Sequence, residues 1–249
     1  MNTVQSCCNE GFPQDHAKRE WLKAGIAASA AVAGITLLSG TAAAASLSRQ
    51  QRDAMTPDQV LDMLREGNAR FRSGTMQSHD FLAQKRASAS GQYPAAVILS
   101  CIDSRAAAEI IFDTGIGDAF GARIAGNVAT EDLIGSMEFA CAVAGAKLVL
   151  VMGHTGCGAI AGAIDDVRLG NLTGLLERIK PAVDMTQYAG ERAGGNPEFV
   201  DAVAHTNVGY TVDLVRRQSP LLAGLEQQGK IRIMGAMYDL GNGMVTFLG

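Results

Sequence analysis

Two short apolar runs constrain this chain more than any other feature, because each stops abruptly at a group of chemically able side chains. Ala95-Ala96-Val97-Ile98-Leu99-Ser100 runs into Cys101-Ile102-Asp103-Ser104-Arg105. Lys147-Leu148-Val149-Leu150-Val151-Met152-Gly153 runs into His154-Thr155-Gly156-Cys157-Gly158. Runs this short, rich in β-branched and aliphatic residues and followed by small ones, read as strands buried on both faces of a parallel sheet. Ligands gather outside the carboxyl ends of such strands. Two neighbouring strand ends would present Cys101, Asp103, His154 and Cys157 to one crevice.

Thiolate, imidazole and carboxylate are the ligands that Zn²⁺ takes in tetrahedral sites, so the four residues form a coherent zinc set. Cys101 and Asp103 are two apart and lean to the same side of an extended segment. His154 and Cys157 are three apart at a strand-to-helix turn, a spacing expected to put both on one face of the first helical turn. Either pair alone is weak, since a free cysteine is commonly a small core hydrophobe. Together, at equivalent strand ends, they point to a metal. Arg123 and Asn127 close another strand beside the same crevice. With Gly158 they are assigned to the substrate pocket, against a plainer reading of Arg123 as a salt-bridge partner and Asn127 as a turn former.

Strand, helix, strand, helix, strand is the order of an α/β fold, with a mostly parallel central sheet of four to five strands flanked by helices. Strands are expected at 95–100, Ala119–Ala125, from Lys147, Ile231–Tyr238 and Met244–Leu248, the last two joined by a hairpin-like turn at Gly241-Asn242-Gly243. Helices are expected at Pro57–Arg72, capped by Thr56, at Ala106–Phe112, at Leu133–Ala144, beyond Gly158 and at Glu198–Gln218. His79 reads as a surface residue and His205 as a core or interface histidine. Cys141 reads as a buried small hydrophobe.

Composition excludes some functions. The chain has 249 residues, 47% of them hydrophobic, enough for one enzyme-sized core behind a leader. A formal charge of −4 offers no general attraction to nucleic acid, so none is expected as a partner. Five cysteines, two of them at Cys7 and Cys8, are not a disulfide framework.

Residues 1–45 read as an export signal and 46–249 as the zinc-dependent domain. Lys18-Arg19-Glu20-Trp21-Leu22-Lys23 precedes an uncharged Ala- and Gly-rich run, and Thr41-Ala42-Ala43-Ala44-Ala45-Ser46 offers small residues for cleavage. The basic part is similar to a twin-arginine motif, with Lys18 in the place of the first arginine. The expected location is periplasmic, through the export machinery; the alternative is membrane anchoring by an uncleaved leader.

Cys101-x-Asp103-Ser104-Arg105 followed by His154-x-x-Cys157-Gly158 resembles the signature of the β-class carbonic anhydrases. The likeness extends through Glu66-Gly67-Asn68-Ala69-Arg70-Phe71, Arg123-Ile124-Ala125-Gly126-Asn127, Gly135-Ser136-Met137-Glu138-Phe139 and Gly235-Ala236-Met237-Tyr238-Asp239. Ala106-Ala107-Ala108 departs from it, where the family carries a bulkier segment. The resemblance implies one Zn²⁺ per subunit and reversible hydration of CO₂ to bicarbonate and a proton by a zinc-bound hydroxide. It also implies a homodimer or homotetramer. Asp103 then has two roles: paired with Arg105 it orients the nucleophile, and released it takes the fourth place on zinc. Two other readings use the same residues: a zinc-dependent hydrolase of a CO₂-like molecule such as COS or CS₂, and a non-catalytic zinc-bearing protein that binds bicarbonate.

Overall fold

A computed structural model describes residues 46–248. The proposed signal peptide, its twin-arginine motif and its cleavage site lie outside the described residues. Five strands, β1 (Ala96–Ser100), β2 (Ala119–Arg123), β3 (Leu148–His154), β4 (Arg232–Tyr238) and β5 (Val245–Leu248), form one sheet in the order β2-β1-β3-β4-β5. The first four are parallel, and β5 returns antiparallel beside β4. This is the α/β architecture expected from the sequence.

Alternation along β1 and β3 divides the core. Ile98, Leu148, Leu150 and Met152 face α2 (Pro57–Ser73) and α4 (Ala108–Ile111), meeting Val60, Leu61, Leu64 and Phe112. Val97, Leu99, Val149 and Val151 face the opposite way, onto α5 (Glu131–Glu138), α9 (Pro197–Gln218) and α10 (Pro220–Gln227). Period-two alternation with both faces covered is why these strands are apolar at every position. Thr56 caps α2 through its hydroxyl, which accepts from the Gln59 N–H, while the Gln59 side chain accepts from the Thr56 N–H.

Several boundaries differ from the sequence reading. β2 stops at Arg123, not Ala125, because Gly126 takes a left-handed conformation (φ +67°) in a 3₁₀ turn. The expected helix over Ala106–Phe112 contracts to α4, since the Ala106 N–H is drawn back to the Asp103 carbonyl. The helix expected to Ala144 ends at Glu138 and continues as a wider π turn, Phe139–Val143, which buries Ala140 and Cys141 while exposing Phe139. Four further helices lack a clear apolar period and stand where the sequence suggests connections: α1 (Arg49–Ala54), α3 (Phe81–Ser88) and, after α6 (Gly158–Ile164), α7 (Leu172–Glu177) and α8 (Lys180–Met185). No helix among the described residues is long and apolar enough to cross a membrane.

Candidate metal centre

Because β1 and β3 are parallel neighbours, with Ser100 opposite Met152, their carboxyl ends deliver Cys101 and His154 to the same edge. His154 is the last residue of β3, and the chain turns at Gly156 (φ +59°) to place Cys157 at the N-cap of α6. His154 and Cys157 therefore meet across the strand-to-helix turn expected for them, but His154 still belongs to the strand and Cys157 only caps the helix, so the two do not share a face of a first helical turn. A left-handed residue between them shortens the return.

Cys101, His154 and Cys157 are all buried, and their ligand atoms lie within 4.8 Å of one another. The two sulfurs are 4.0 Å apart. That is about twice a disulfide bond length, and close to the ~3.8 Å expected of two sulfurs each ~2.3 Å from one tetrahedral zinc. His154 Nδ1 donates to the Thr155 carbonyl at 2.8 Å. A carbonyl can only accept, so Nδ1 carries a proton, and in the neutral ring, the form that binds a metal, Nε2 keeps a bare lone pair. Nε2 is buried and has no hydrogen-bond partner among the described residues. A buried ring nitrogen facing two thiols with nothing to bond is what a metal would satisfy, and the donor set fits Zn²⁺.

The electrostatics agree. The hydrogen bond from Cys157 leads the effects that pull the Cys101 thiol down to about 4, against the opposing effect of burial. Cys157 is driven up by that same contact with Cys101 and then by burial. One thiolate forms readily; the second needs added positive charge, of the kind that a divalent cation would supply.

Asp103 faces Arg105, which donates through Nε to Oδ1 at 3.0 Å and through Nη2 to Oδ2 at 2.8 Å. This bidentate grip holds the carboxyl well below the usual carboxylate range, and the Arg105 backbone N–H adds a bond at 2.9 Å. Oδ2 lies 3.9 Å from His154 Nε2, beside the three clustered ligand atoms and outside their group. The arrangement is the arginine-paired form of the two that the sequence allowed.

The remaining pocket assignments separate. Arg123 donates to the carbonyls of Cys101 at 2.9 Å and Asp103 at 2.6 Å, so it clamps the ligand loop instead of forming a salt bridge. Asn127 is buried in a left-handed conformation (φ +43°), and its Nδ2 has no partner among the described residues. Gly158 is exposed at the start of α6, with open space where a Cβ would sit.

Three supporting residues escaped the sequence reading. The Gly126 N–H points to Cys101 Sγ at 3.4 Å, Asn207 Nδ2 donates to the Gly126 carbonyl at 2.8 Å, and Asp201 Oδ1 accepts from the Gly156 N–H at 2.8 Å. Asn207 left a visible signal: it interrupts the apolar stripe of α9 between Val203 and Val208, both buried. Two histidines need correction. His79 is not a surface residue; its ring is packed against Asp113, with Nε2 3.0 Å from Oδ1. His205 is exposed on the outer side of α9, so it is not a core histidine; the interface half of that reading is untouched by its exposure. Cys141 is buried as expected, and burial pushes its thiol up to about 12.

Fold and site together define an α/β protein with a buried Cys–His–Cys cluster, able to hold a metal, at the carboxyl edge of a parallel sheet. A family model described as carbonic anhydrase matches residues 96–245. Carbonic anhydrase 2 of Mycobacterium tuberculosis is 38% identical over 186 residues, covering 72% of this chain and 87% of the relative. The carbonic anhydrase of Mycolicibacterium smegmatis is 35% identical over 188 residues, covering 73% and 88%. Among solved structures, a β-carbonic anhydrase of Aspergillus fumigatus superposes with a TM-score of 0.61 at 25% identity, covering 77% of this chain and 89% of that one. The tetrameric β-carbonic anhydrases of Sordaria macrospora give 0.57 at 27% identity, covering 65% and 83%. The chain belongs to the β-class carbonic anhydrase family.

Proposed function

We propose that reversible hydration of CO₂, the activity of the family, runs in this chain at the crevice formed by Cys101, His154 and Cys157, with one zinc per subunit. The observation that carries this reading is the bare, buried Nε2 of His154 beside two sulfurs 4.0 Å apart. Held by those three atoms, zinc would supply a Lewis acid with a fourth place open to solvent. Asp103 is the acceptor beside that place; its Oδ2 orients a solvent hydrogen, and Arg105 keeps the carboxylate ionised and turned aside. Arg123 holds the backbone of the loop that carries both Cys101 and Asp103.

Stopped-flow CO₂ hydration by the zinc-loaded protein tests the assignment, with COS and CS₂ as competing substrates in parallel. Hydration that follows zinc content supports it. Hydrolysis of the sulfur compounds without hydration of CO₂ would transfer the site to the hydrolase reading, and zinc binding without turnover would leave a bicarbonate-binding protein.

A homo-oligomeric state is part of the same reading. It is supported by the tetrameric relatives and by β2, an edge strand that is partly exposed along most of its length. Export to the periplasm rests on the order of basic, apolar and small residues before Ser46, and the competing membrane anchor rests on the same stretch. Changing Lys18 and Arg19 to Gln blocks export if the twin-arginine assignment is correct.

A further inference from the structure

The three candidate ligands come from the carboxyl end of β1, the last residue of β3 and the cap of α6, yet one helix behind them reaches the sulfur of Cys101 through a single residue, Gly126. Asn207 is fully buried on α9, and its Nδ2 donates to the Gly126 carbonyl at 2.8 Å. The N–H of that same residue points to Cys101 Sγ at 3.4 Å. Gly126 can do this because it is left-handed (φ +67°), and a Cβ there would stand 2.6 Å from Ile179 Cδ1. The other end of the Asn207 amide, Oδ1, is buried with no partner among the described residues. A fully buried amide with one end unbonded is a poor choice for packing alone, where an aliphatic residue would match its neighbours Val208 and Val203.

We propose that Asn207 is a positioning residue for the metal centre: by gripping the Gly126 carbonyl it aims the Gly126 N–H at Cys101 and so sets how strongly that thiolate donates to the metal. A hydrogen bond to a thiolate withdraws electron density from sulfur. Losing its aim makes the sulfur a stronger donor to the metal and leaves the ligand less well placed. The inference rests on the metal reading above and concerns the tuning of the site, not its existence.

Cobalt(II), which gives a sulfur-to-metal charge-transfer band, is the probe. In Asn207→Leu the band is expected to move to longer wavelength than in the wild-type protein, with about 10-fold weaker retention of cobalt in chelator competition. Asn207→Ser, which leaves a small cavity instead of an overfilled site, shows the same two changes and serves if the leucine variant does not fold. Val212→Ala removes buried packing from the same helix away from the turn, and it lowers thermal stability without moving the band. An unmoved band and wild-type retention in the serine variant overturn the proposal, as does an equal shift in Val212→Ala. Absence of any charge-transfer band in the wild-type protein overturns the metal reading itself, and this inference with it.

Discussion

Among the described residues, two buried clusters each set a histidine beside a carboxylate, and only one of them is chemically unfinished. In the loop leading into β2, Asp113 accepts from Arg70 Nε at 2.6 Å and lies 3.0 Å from His79 Nε2, and the Gln77 N–H reaches the same carboxylate. Because the carboxylate only accepts, His79 carries its proton on Nε2. Its Nδ1 is then free to accept from Gln84 Nε2 at 3.2 Å, and Gln84 Oε1 in turn takes the Ile116 N–H at 3.0 Å. That network is closed and ties α2 and α3 to the strand entry. At the opposite strand ends, Ser100 Oγ, Asn127 Nδ2, Asn207 Oδ1 and His154 Nε2 are buried without partners among the described residues. A histidine near a carboxylate is therefore not the signature of the site. The signature is a ligand atom that folding has buried and left unsatisfied.

The largest effect expected from breaking that contrast falls on the unfinished side. Cys101→Ser or Cys157→Ser removes a zinc ligand, and CO₂ hydration falls at least about 100-fold together with zinc content measured by atomic emission. A variant that lost zinc and kept its rate would remove the metal from the reaction. On the closed side the effect is on folding. Asp113→Ala leaves Arg70 and His79 without their acceptor and destabilises the protein by about 3 kcal/mol in denaturant unfolding, with turnover per folded, zinc-loaded molecule unchanged.

The Asp113 network also carries a pH dependence with a definite sign. Burial works to raise its carboxyl, but the bonds from Arg70, Gln77 and His79 outweigh it, and the group ionises below its ordinary range. The unfolded carboxyl, with a pKa of about 3.9, takes up its proton at higher pH than the folded one. The stabilisation is thus complete above that value and is lost as pH falls through the lower folded value. Asp113→Asn should flatten this acid limb of the unfolding curve, and an acid limb as steep as that of the wild-type protein would assign it to other carboxylates.

The contrast also explains what could be read from the sequence. Cys101, His154 and Cys157 were visible because strand ends announce themselves: an apolar run stops, and glycine follows. Asp103 and Arg105 were visible because they travel with Cys101. The Asp113 network was not, since its members come from four separate stretches, and His79 in a polar connection carries no periodicity to report its burial. Asn207 left only the trace of one amide in an apolar stripe. The π turn after Glu138 and the short helices α7 and α8 were invisible for a different reason: they are set by packing over a few residues, too short for a period to emerge.

Arg105→Ala adds to the unfinished side alone, because it leaves an unpaired carboxylate beside His154. Arg105 is largely exposed, so the fold should tolerate the change and retain zinc. Asp103 would lose the grip that keeps it turned aside, and hydration is expected to fall about 10-fold. Unchanged activity would deny the pair any role in orienting solvent.

The smallest effect expected belongs to Asp201, which supports the site from the solvent side. Its Oδ1 accepts the Gly156 N–H at 2.8 Å, in the turn that carries His154 to Cys157. Gly156 is exposed, so in Asp201→Ala water can take over the bond, and the loss is held to about 1 kcal/mol, or about 5-fold weaker zinc retention in chelator competition. Asp201→Asn keeps an acceptor at the same position and should recover most of that loss. The size of the effect is the point of the measurement. If Asp201→Ala shed zinc as completely as Cys157→Ser, the ligand turn would depend on α9 for its shape. The unsatisfied atoms at the strand ends would then not suffice to define the centre.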